Sequence, residues 1–300
     1  MAAMITSMLI IPRKPTINLS TFHRTLASKR CRISSNATAT SFKPCSSQRS
    51  IDVKRRSGNY KSPFWDFDYI QSLNSEYKEE RYLRRASALK VQVKMLMEEA
   101  VRSLEAVEQL ELIDNLQRLG ISYHFVDQIK NILNALQNDK HGKNYQTMER
   151  NLYSTALEFR LLRQHGFEAS QELFDDFKNM EDGEFKASLG EDTKGLLQLY
   201  ESSFLLTQGE NTLDQAREFA TKFLQKNLDQ KLIIDENLLL LVHHALEIPL
   251  HWSVPRTNAR WFIEAYERRS DMNPIVLELA KLDFNIVQAI HQEELKHVSR

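Results

Sequence analysis

Apolar side chains recur at helical spacing along most of this 300-residue chain, from about Tyr69 onward. In one example Leu110, Ile113 and Leu116 lie three residues apart, and Gly120 follows them. Side chains three or four residues apart share one face of a helix, and a glycine just past the last of them is typical of a helix end. Because glycine totals only 8 and alternating β-branched runs are scarce, we predict an all-α fold.

Several polar segments carry signals for the beginning of a helix. Asp235 precedes a leucine-rich run, and Asn273 followed by Pro274 combines an N-cap residue with a proline in the first turn. Thr212 and Gln215 have the spacing of a capping box, in which each side chain bonds to a main-chain amide near the other residue. The whole pattern predicts stacked helical hairpins, either closed into a double-layered α/α barrel or left open as a solenoid.

The first fifty residues differ in composition from the rest of the chain. Residues 1–50 contain eight Lys or Arg, no Asp or Glu, and many Ser and Thr. No apolar stretch among them is followed by the cleavage site of a secretory signal. This composition is typical of an organellar transit peptide, and its Ser and Thr content favours a plastid. A plain disordered tail is the alternative.

The composition of the body disfavours several classes of partner and site. Lys and Arg total 40, as do Asp and Glu, so residues 51–300 hold 32 basic and 40 acidic side chains, whereas nucleic-acid binding favours a basic face. No apolar run reaches the roughly 18–20 residues that a membrane span requires. Both cysteines, Cys31 and Cys45, precede the body, so cysteine chemistry is excluded there. We therefore expect no nucleic-acid partner and no membrane span.

No complete catalytic motif is found in the sequence. The GxxxxGK[ST] and GxGxxG phosphate loops and the GxSxG nucleophile elbow are missing. His291 begins a segment similar to HExxH, but the second histidine is missing four residues later. His243 and His244 point in directions about 100° apart on a helix. We therefore expect these histidines to be surface or hydrogen-bonded core residues rather than metal ligands.

Two acidic pairs resemble known motifs incompletely. Asp175 and Asp176 begin a DDxxD pattern, but Asn179 occupies its last position. Asp66 and Asp68 resemble the beginning of a DxDD acid motif that lacks its final Asp. Because several oxygens must converge on Mg²⁺ to hold it, we expect both pairs to be surface carboxylates.

A more specific pattern lies in the segment RRSGNYKSPFWDFDYIQSL. Arg55 and Arg56 are followed by eight residues and then Trp65, which resembles the RRx8W signature of plant monoterpene synthases. Four further stretches resemble that family in order and spacing, namely residues 153–170, 196–220, 243–252 and 259–300. The likeness covers essentially all of 55–300, and the plastid transit peptide of such synthases matches the composition of the tail.

The resemblance implies an order of domains. Residues 1–54 are expected to be a plastid transit peptide and disordered tail. Residues 55–270 are expected to form the N-terminal terpene synthase domain, which is an α/α barrel of helical hairpins. Residues 271–300 are expected to begin a truncated C-terminal class I domain, of which a single severed helix remains.

An apolar stripe marks that last helix. It contains Ile275, Leu279, Leu282 and Ile286, and no Gly or Pro ends it before the last residue of the sequence. In the family this stripe packs inside the C-terminal domain. We therefore expect the stripe to lie partly uncovered here, and residues 273–300 to be the least stable ordered part of the body.

The resemblance also implies a reaction. Full-length members of the family ionise geranyl diphosphate with the help of Mg²⁺ or Mn²⁺ and convert it to monoterpenes. Their metal-binding and diphosphate-binding motifs are expected beyond Arg300, so this chain is interpreted as an inactive, truncated monoterpene synthase without metal ligands of its own. The alternative is a non-catalytic helical domain that acts by protein–protein interaction, for example with an intact terpene synthase.

The resemblance assigns the tandem arginines to an active-site cap. In the family an N-terminal strand closes over the bound diphosphate and excludes water, and its arginines are implicated in isomerising that diphosphate. Guanidinium groups suit this role because they stay charged and bind phosphate oxygens in pairs. We expect Arg55 and Arg56 to act in this way and Trp65 to anchor the strand by burying its ring. The alternative is that the two arginines simply end the basic tail.

Overall fold

The structure is a computed structural model, and its described residues are 65–138 and 151–299. These residues form α-helices joined by short loops and 3-10 turns, and their only β pairing is one antiparallel bridge between Lys178 and Phe185. The α-helices are α1 (Phe67–Ser72), α2 (Glu80–Ser103), α3 (Ala106–Arg118), α4 (Val126–Asn138), α5 (Leu152–Gln164), α6 (Thr193–Ser203), α7 (Asn211–Asp229), α8 (Glu236–Glu247), α9 (Pro255–Glu267) and α10 (Pro274–Val298).

Two of the helices, α5 and α6, form the inner layer of the fold. Both are buried along most of their length, polar residues included. An outer helix such as α2 is buried along one stripe only, in which Ala86, Leu89, Val93 and Met97 lie three or four residues apart. α5 packs on α3 and α6, and α6 packs in turn on α7. The predicted all-α fold of layered helical hairpins is therefore confirmed.

Three predicted helix boundaries are confirmed by local geometry. Asp235 accepts hydrogen bonds from two main-chain amides in the first turn of α8, at 2.8 and 3.3 Å. Asn273 does the same for α10, at 3.0 and 3.2 Å. Gly120 follows α3 with a φ of 74°, and a Cβ there would lie 2.9 Å from the Cβ of Ala259. Glycine is thus required by both the backbone conformation and the close approach of α9.

The capping box predicted at Thr212 and Gln215 is wrong. α7 begins one residue earlier, at Asn211, so Thr212 lies inside its first turn. The Thr212 hydroxyl and the Gln215 side-chain oxygen both accept from Nζ of Lys178, each at 2.9 Å. A charged donor makes a stronger hydrogen bond than a neutral amide does, and Lys178 therefore takes the place of the main-chain partners.

Helix α10 is covered along part of its apolar face. Leu279 is fully buried and Leu282 is nearly so, while Ile275 and Ile286 are partly buried against the core. Leu279 and Leu282 are buried because α2, α9 and α1 pack against this helix, while the other two stripe residues stay partly uncovered, as expected. The expectation that residues 273–300 are the least stable ordered part of the body stays a prediction.

Two further predictions concern membrane spans and domain boundaries. None of the helices in the described part of the chain combines the length and the apolarity that a bilayer crossing requires. The domain boundaries predicted after residues 54 and 270 stay predictions.

Candidate functional site

A cavity of about 740 Å³ opens where α3, α5, α9 and α10 approach one another. Its walls include the C-terminal ends of α3 and α5, the loop after α3, the 3-10 turn Leu250–Trp252 and the first turn of α9. Val287 and His291 of α10 complete them. Cavities of this size, with apolar walls and a few convergent polar groups, hold small molecules in other proteins. This cavity is the candidate site.

Four charged side chains form a network beside the cavity, of which Arg118, Arg160 and Glu201 are buried and Asp114 is partly buried. Arg118 donates from Nε to both carboxylate oxygens of Asp114, at 2.9 and 3.0 Å, and from Nη1 to Glu201 at 3.0 Å. Arg160 donates from Nη2 to Asp114 at 2.8 Å and to the side-chain oxygen of Gln198 at 2.9 Å. Two guanidinium groups therefore face two carboxylates, and the network is neutral as a whole.

Three helices bring the network together. Asp114 and Arg118 are one turn apart on α3, so their side chains share a face. Arg160 lies on buried α5, which packs against α3, and Glu201 lies on buried α6, which packs against α5. Burial raises the pKa of Asp114, but Arg118 and Arg160 more than offset this effect and hold that pKa below its usual range. The carboxylate therefore stays charged in the interior.

The network also borders a second cavity, of about 380 Å³, which Asp114 and Arg118 help to line. Lys194 at this cavity forms an ion pair of 2.9 Å with Glu111, and the Tyr153 hydroxyl donates to the same carboxylate at 2.6 Å. Burial, together with Glu111, raises the pKa of Tyr153 and keeps it a neutral donor. Because none of the unpaired buried atoms of the described residues lies here, this cavity is the weaker candidate.

Asp283 of α10 joins the loop after α3 to the wall of the larger cavity. The hydroxyl of Tyr123, which lines the cavity, lies 2.9 Å from both carboxylate oxygens of Asp283. Nε2 of His124 lies 2.7 Å from one of them. Burial raises the pKa of Tyr123 and the Asp283 carboxylate raises it further, so the phenol stays protonated at neutral pH. The loop is thus fixed to α10 by hydrogen bonds.

One of the three residues predicted for an active-site cap lies within the described residues. Arg55 and Arg56 lie outside them. Trp65 stacks its ring on Tyr69, with centroids 5.8 Å apart and an interplanar angle of 13°, and the residue is 56% exposed. The ring is thus held just before α1 without being buried there. The roles predicted for all three residues stay predictions.

The incomplete acidic motifs lie on the surface, as predicted. Asp175 and Asp176 are exposed in the 3-10 turn Gln171–Phe177. Asp66 and Asp68 are exposed at the beginning of α1, where the Asp66 carboxylate accepts hydrogen bonds from two main-chain amides at 2.8 and 3.1 Å. Asp66 therefore caps α1, and the other three carboxylates face solvent.

The histidines that the sequence singled out have separate surroundings. His243 and His291 are exposed, whereas His244 is partly buried. Nε2 of His244 lies 2.9 Å from Oδ1 of Asn258, and its ring stacks on Trp261 with centroids 3.6 Å apart. One of the pair is therefore hydrogen-bonded, as expected. Among residues 65–138 and 151–299, no group of three His, Cys, Asp or Glu is placed to hold a metal ion, so these residues do not fit a Mg²⁺ site.

The buried network and the cavity beside it were not predicted from the sequence. A signal was present, since Arg160 stands between the apolar residues Phe159 and Leu161. A buried charge needs a partner, and such a position therefore indicates one. The identity of the partner could not be read from the sequence, because Gln198 and Asp114 lie on other helices.

Comparison with a family model and with curated proteins gives consistent matches. Residues 64–246 match the family described as "Terpene synthase, N-terminal domain". A chloroplastic limonene synthase of Coffea arabica is 52% identical over 266 residues, which is 89% of this chain and 43% of that protein. The chain therefore spans less than half the length of this curated relative.

Solved structures show the same relationship. A crystal structure of limonene synthase with 2-fluorolinalyl diphosphate is 55% identical and has a TM-score of 0.72, over 81% of this chain and 44% of that one. An isoprene synthase from grey poplar leaves (Populus x canescens), in complex with three Mg²⁺ ions and dimethylallyl-S-thiolodiphosphate, is 41% identical with a TM-score of 0.66. That match covers 79% of this chain and 42% of the isoprene synthase.

Proposed function

The chain belongs to the terpene synthase family, and from this premise we propose that it forms the N-terminal helical part of a monoterpene synthase acting on geranyl diphosphate. The observation that carries the proposal is the 52% identity to a limonene synthase over 89% of the chain. The resemblance first drawn from Arg55, Arg56 and Trp65 to this family is confirmed. The particular substrate and product belong to the proposal.

The metal chemistry in the proposal comes from the relatives. The isoprene synthase was solved with three Mg²⁺ ions and a diphosphate analogue. When bound, such ions neutralise the charge that develops on a leaving diphosphate. Because the described residues of this chain do not fit a Mg²⁺ site, we assign no catalytic step to them. Their role in the proposal is structural, with α2 and α1 packed against the apolar face of α10.

A plastid location completes this assignment. The composition of residues 1–50 predicts import into a plastid, and the relative from Coffea arabica is named as chloroplastic. The predicted location is thus confirmed by the relative. A monoterpene synthase in this compartment is consistent with both observations.

A chimera tests the proposed function. Residues 51–300 replace the matching segment of the Coffea arabica limonene synthase, and the purified chimera receives geranyl diphosphate and Mg²⁺. We expect monoterpene formation within about tenfold of the intact relative, a change of roughly 1.4 kcal/mol in the barrier. The relative without any N-terminal segment is the control for the contribution of these helices.

The outcomes separate the proposal from a purely non-catalytic role. A chimera that folds, as judged by circular dichroism, yet forms no monoterpene would contradict the proposal. The separate chain of residues 51–300 should form no monoterpene above a no-enzyme control, since its sequence contains no DDxxD motif. Linalool, geraniol or a cyclic product that disappears with a chelator would show that this expectation is wrong.

A further inference from the structure

Unpaired polar atoms are concentrated in the walls of the 740 Å³ cavity. Six buried side-chain atoms of the described residues have no hydrogen-bond partner among them, and five of the six belong to residues that line this cavity. The five are Gln117 Oε1, Arg160 Nη1, Gln164 Oε1, His251 Nε2 and Arg256 Nε. A buried polar group without a partner destabilises a fold, so their concentration in one cavity points to a ligand that pairs with them.

Two of these atoms are guanidinium donors. Arg160 is fully buried, and its Nε and Nη2 are used by Gln198 and Asp114, which leaves Nη1 free for a ligand. Arg256 donates from Nη2 to the main-chain oxygen of Phe284 at 2.9 Å and lies over that ring, with Nε unpaired. Arg256 forms no ion pair with any carboxylate in the described part of the chain. The donor side of the cavity therefore favours an anion.

The other three atoms are acceptors. His251 hydrogen-bonds to the main chain of Glu201, and its Nε2 is unpaired, so the ring proton belongs on Nδ1 and Nε2 accepts. Burial lowers the pKa of His251, with the charge of Arg160 acting in the same direction, and keeps the ring neutral at pH 7. Gln117 and Gln164 present amide oxygens, which accept only. An anion without a hydroxyl group would leave these acceptors unpaired.

We propose that this cavity binds a phosphorylated polyol, a ligand class that lies beyond the proposed terpene synthase function. The phosphate oxygens accept from Arg160 Nη1 and Arg256 Nε, because guanidinium groups bind phosphate through charge-assisted hydrogen bonds. The hydroxyl groups donate to His251 Nε2 and to the amide oxygens of Gln117 and Gln164. A volume of about 740 Å³ exceeds what a bare phosphate ion needs and leaves room for the carbon chain against Leu250 and Val287.

Isothermal titration calorimetry on the whole 300-residue chain at pH 7 tests the proposal with three probes. Glycerol 3-phosphate carries the oxyanion and two hydroxyl groups, which suffice for two of the three acceptors. Propyl phosphate carries only the oxyanion, and glycerol carries only hydroxyl groups. We expect glycerol 3-phosphate to bind at least about tenfold more tightly than either of the others, since propyl phosphate leaves all three acceptors unpaired and glycerol offers the guanidinium groups no anion. Equal binding of propyl phosphate, or of inorganic phosphate, overturns the assignment of a polyol.

Matched variants place the binding in the cavity. Arg256→Lys keeps the positive charge but removes the Nε donor, and it should weaken glycerol 3-phosphate binding at least about tenfold. Arg260→Lys is the control, because Arg260 lies one turn away on α9 in an ion pair with Glu264 and does not line the cavity. Equal affinities of the two variants, or no binding of glycerol 3-phosphate to the unmodified chain at millimolar concentration, overturn the proposal.

Discussion

Arg118 and Glu201 face each other across the buried interior, with Nη1 of the arginine donating to Oε1 of the glutamate at 3.0 Å. The second nitrogen, Nη2, donates to the other carboxylate oxygen, so the pair is bidentate. Arg118 is 9% exposed and Glu201 is 2% exposed. The pair joins α3 to the inner helix α6, and its cost of desolvation is offset only because Asp114 and Arg160 complete the network.

Removing one partner of this network should destabilise the fold strongly. We expect Glu201→Ala to lower the free energy of unfolding by about 3–5 kcal/mol, because Arg118 is left as a buried charge with half of its carboxylate partners. Urea denaturation followed by circular dichroism measures the change. The control is Glu264→Ala, which breaks an exposed pair with Arg260 and should cost less than about 1 kcal/mol. Equal losses in the two variants would argue against a buried network in solution.

Arg55 and Arg56 should affect the isomerisation of geranyl diphosphate more than the later steps of the reaction. In the chimera with residues 51–300, we expect replacement of both Arg55 and Arg56 by Ala to lower conversion of geranyl diphosphate at least about tenfold. Linalyl diphosphate, which is already isomerised, should still be converted at a rate close to that of the unmodified chimera. Lys54→Ala is the matched control for a general effect of basic charge.

Comparison of geranyl diphosphate with linalyl diphosphate distinguishes the two interpretations of Arg55 and Arg56, an active-site cap or the end of the basic tail. A selective loss with geranyl diphosphate supports a role in isomerisation. If the double variant and Lys54→Ala behave alike with both substrates, then the two arginines only end the basic tail, and the predicted cap is wrong.

Residues 1–50 should direct a protein to plastids. The prediction depends on eight basic side chains without a single acidic one and on the high content of Ser and Thr. Fusion of this segment to a fluorescent protein should give signal that coincides with chlorophyll, and the full-length chain should be cleaved before Arg55. A version with its basic residues changed to Gln is the control. Diffuse cytosolic signal, or signal in mitochondria alone, would contradict the prediction.

Local sequence signals predicted the helices and several of their ends correctly. The spacing of Leu110, Ile113 and Leu116 places them on one buried face of α3, and all three are at most 1% exposed. Asp235 caps α8 and Asn273 caps α10, each through the main-chain amides two and three residues later. These features depend on neighbours within one turn, and the sequence therefore specifies them without reference to the rest of the fold.

Features that depend on distant partners could not be predicted in the same way. Thr212 and Gln215 have the spacing of a capping box, yet both side chains accept hydrogen bonds from Lys178, which comes from another segment. Arg160 and Glu201 meet on opposite inner helices, which no local pattern shows. The cavity follows from the same cause, because its unpaired atoms come from α3, α5, α9 and the turn before α9.

The ion pair of Arg163 and Glu210 should make stability depend on pH in the acid range. Arg163 donates to Glu210, with Nη1 at 2.6 Å, and these hydrogen bonds lower the pKa of that carboxyl to about 2 from its usual value of 4.5. A lowered folded-state pKa stabilises the fold fully above about pH 4.5, and that contribution is lost as pH falls toward 2. The stability difference between the unmodified chain and Glu210→Gln should therefore shrink between pH 6 and pH 3.

The same comparison with Glu264→Gln provides the control for the Glu210 prediction. Its exposed ion pair with Arg260 should give only a small difference in stability. Urea denaturation at pH 6, 4.5 and 3 supplies the values. A difference for Glu210→Gln that stays constant down to pH 3 would show that the pKa of Glu210 is not lowered.

The burial of α10 can be tested by replacing one buried and one exposed apolar residue of this helix with alanine. Leu279 on α10 is fully buried, whereas Ile290 on the same helix is 51% exposed. We expect Leu279→Ala to lower the free energy of unfolding by about 2–5 kcal/mol, through lost burial and the cavity left behind. Ile290→Ala should change it by no more than about 0.5 kcal/mol.

Hydrogen exchange extends this test to the whole of α10. Because α2, α9 and α1 cover the helix, its amides around Leu279 should be protected to a degree similar to those around Leu110 in α3, and both should exchange through global unfolding. If Leu279→Ala costs no more than Ile290→Ala and these amides exchange early, then α10 is uncovered in solution. The stripe would then be more exposed than in the structure, and the packing of α2 on α10 would be wrong.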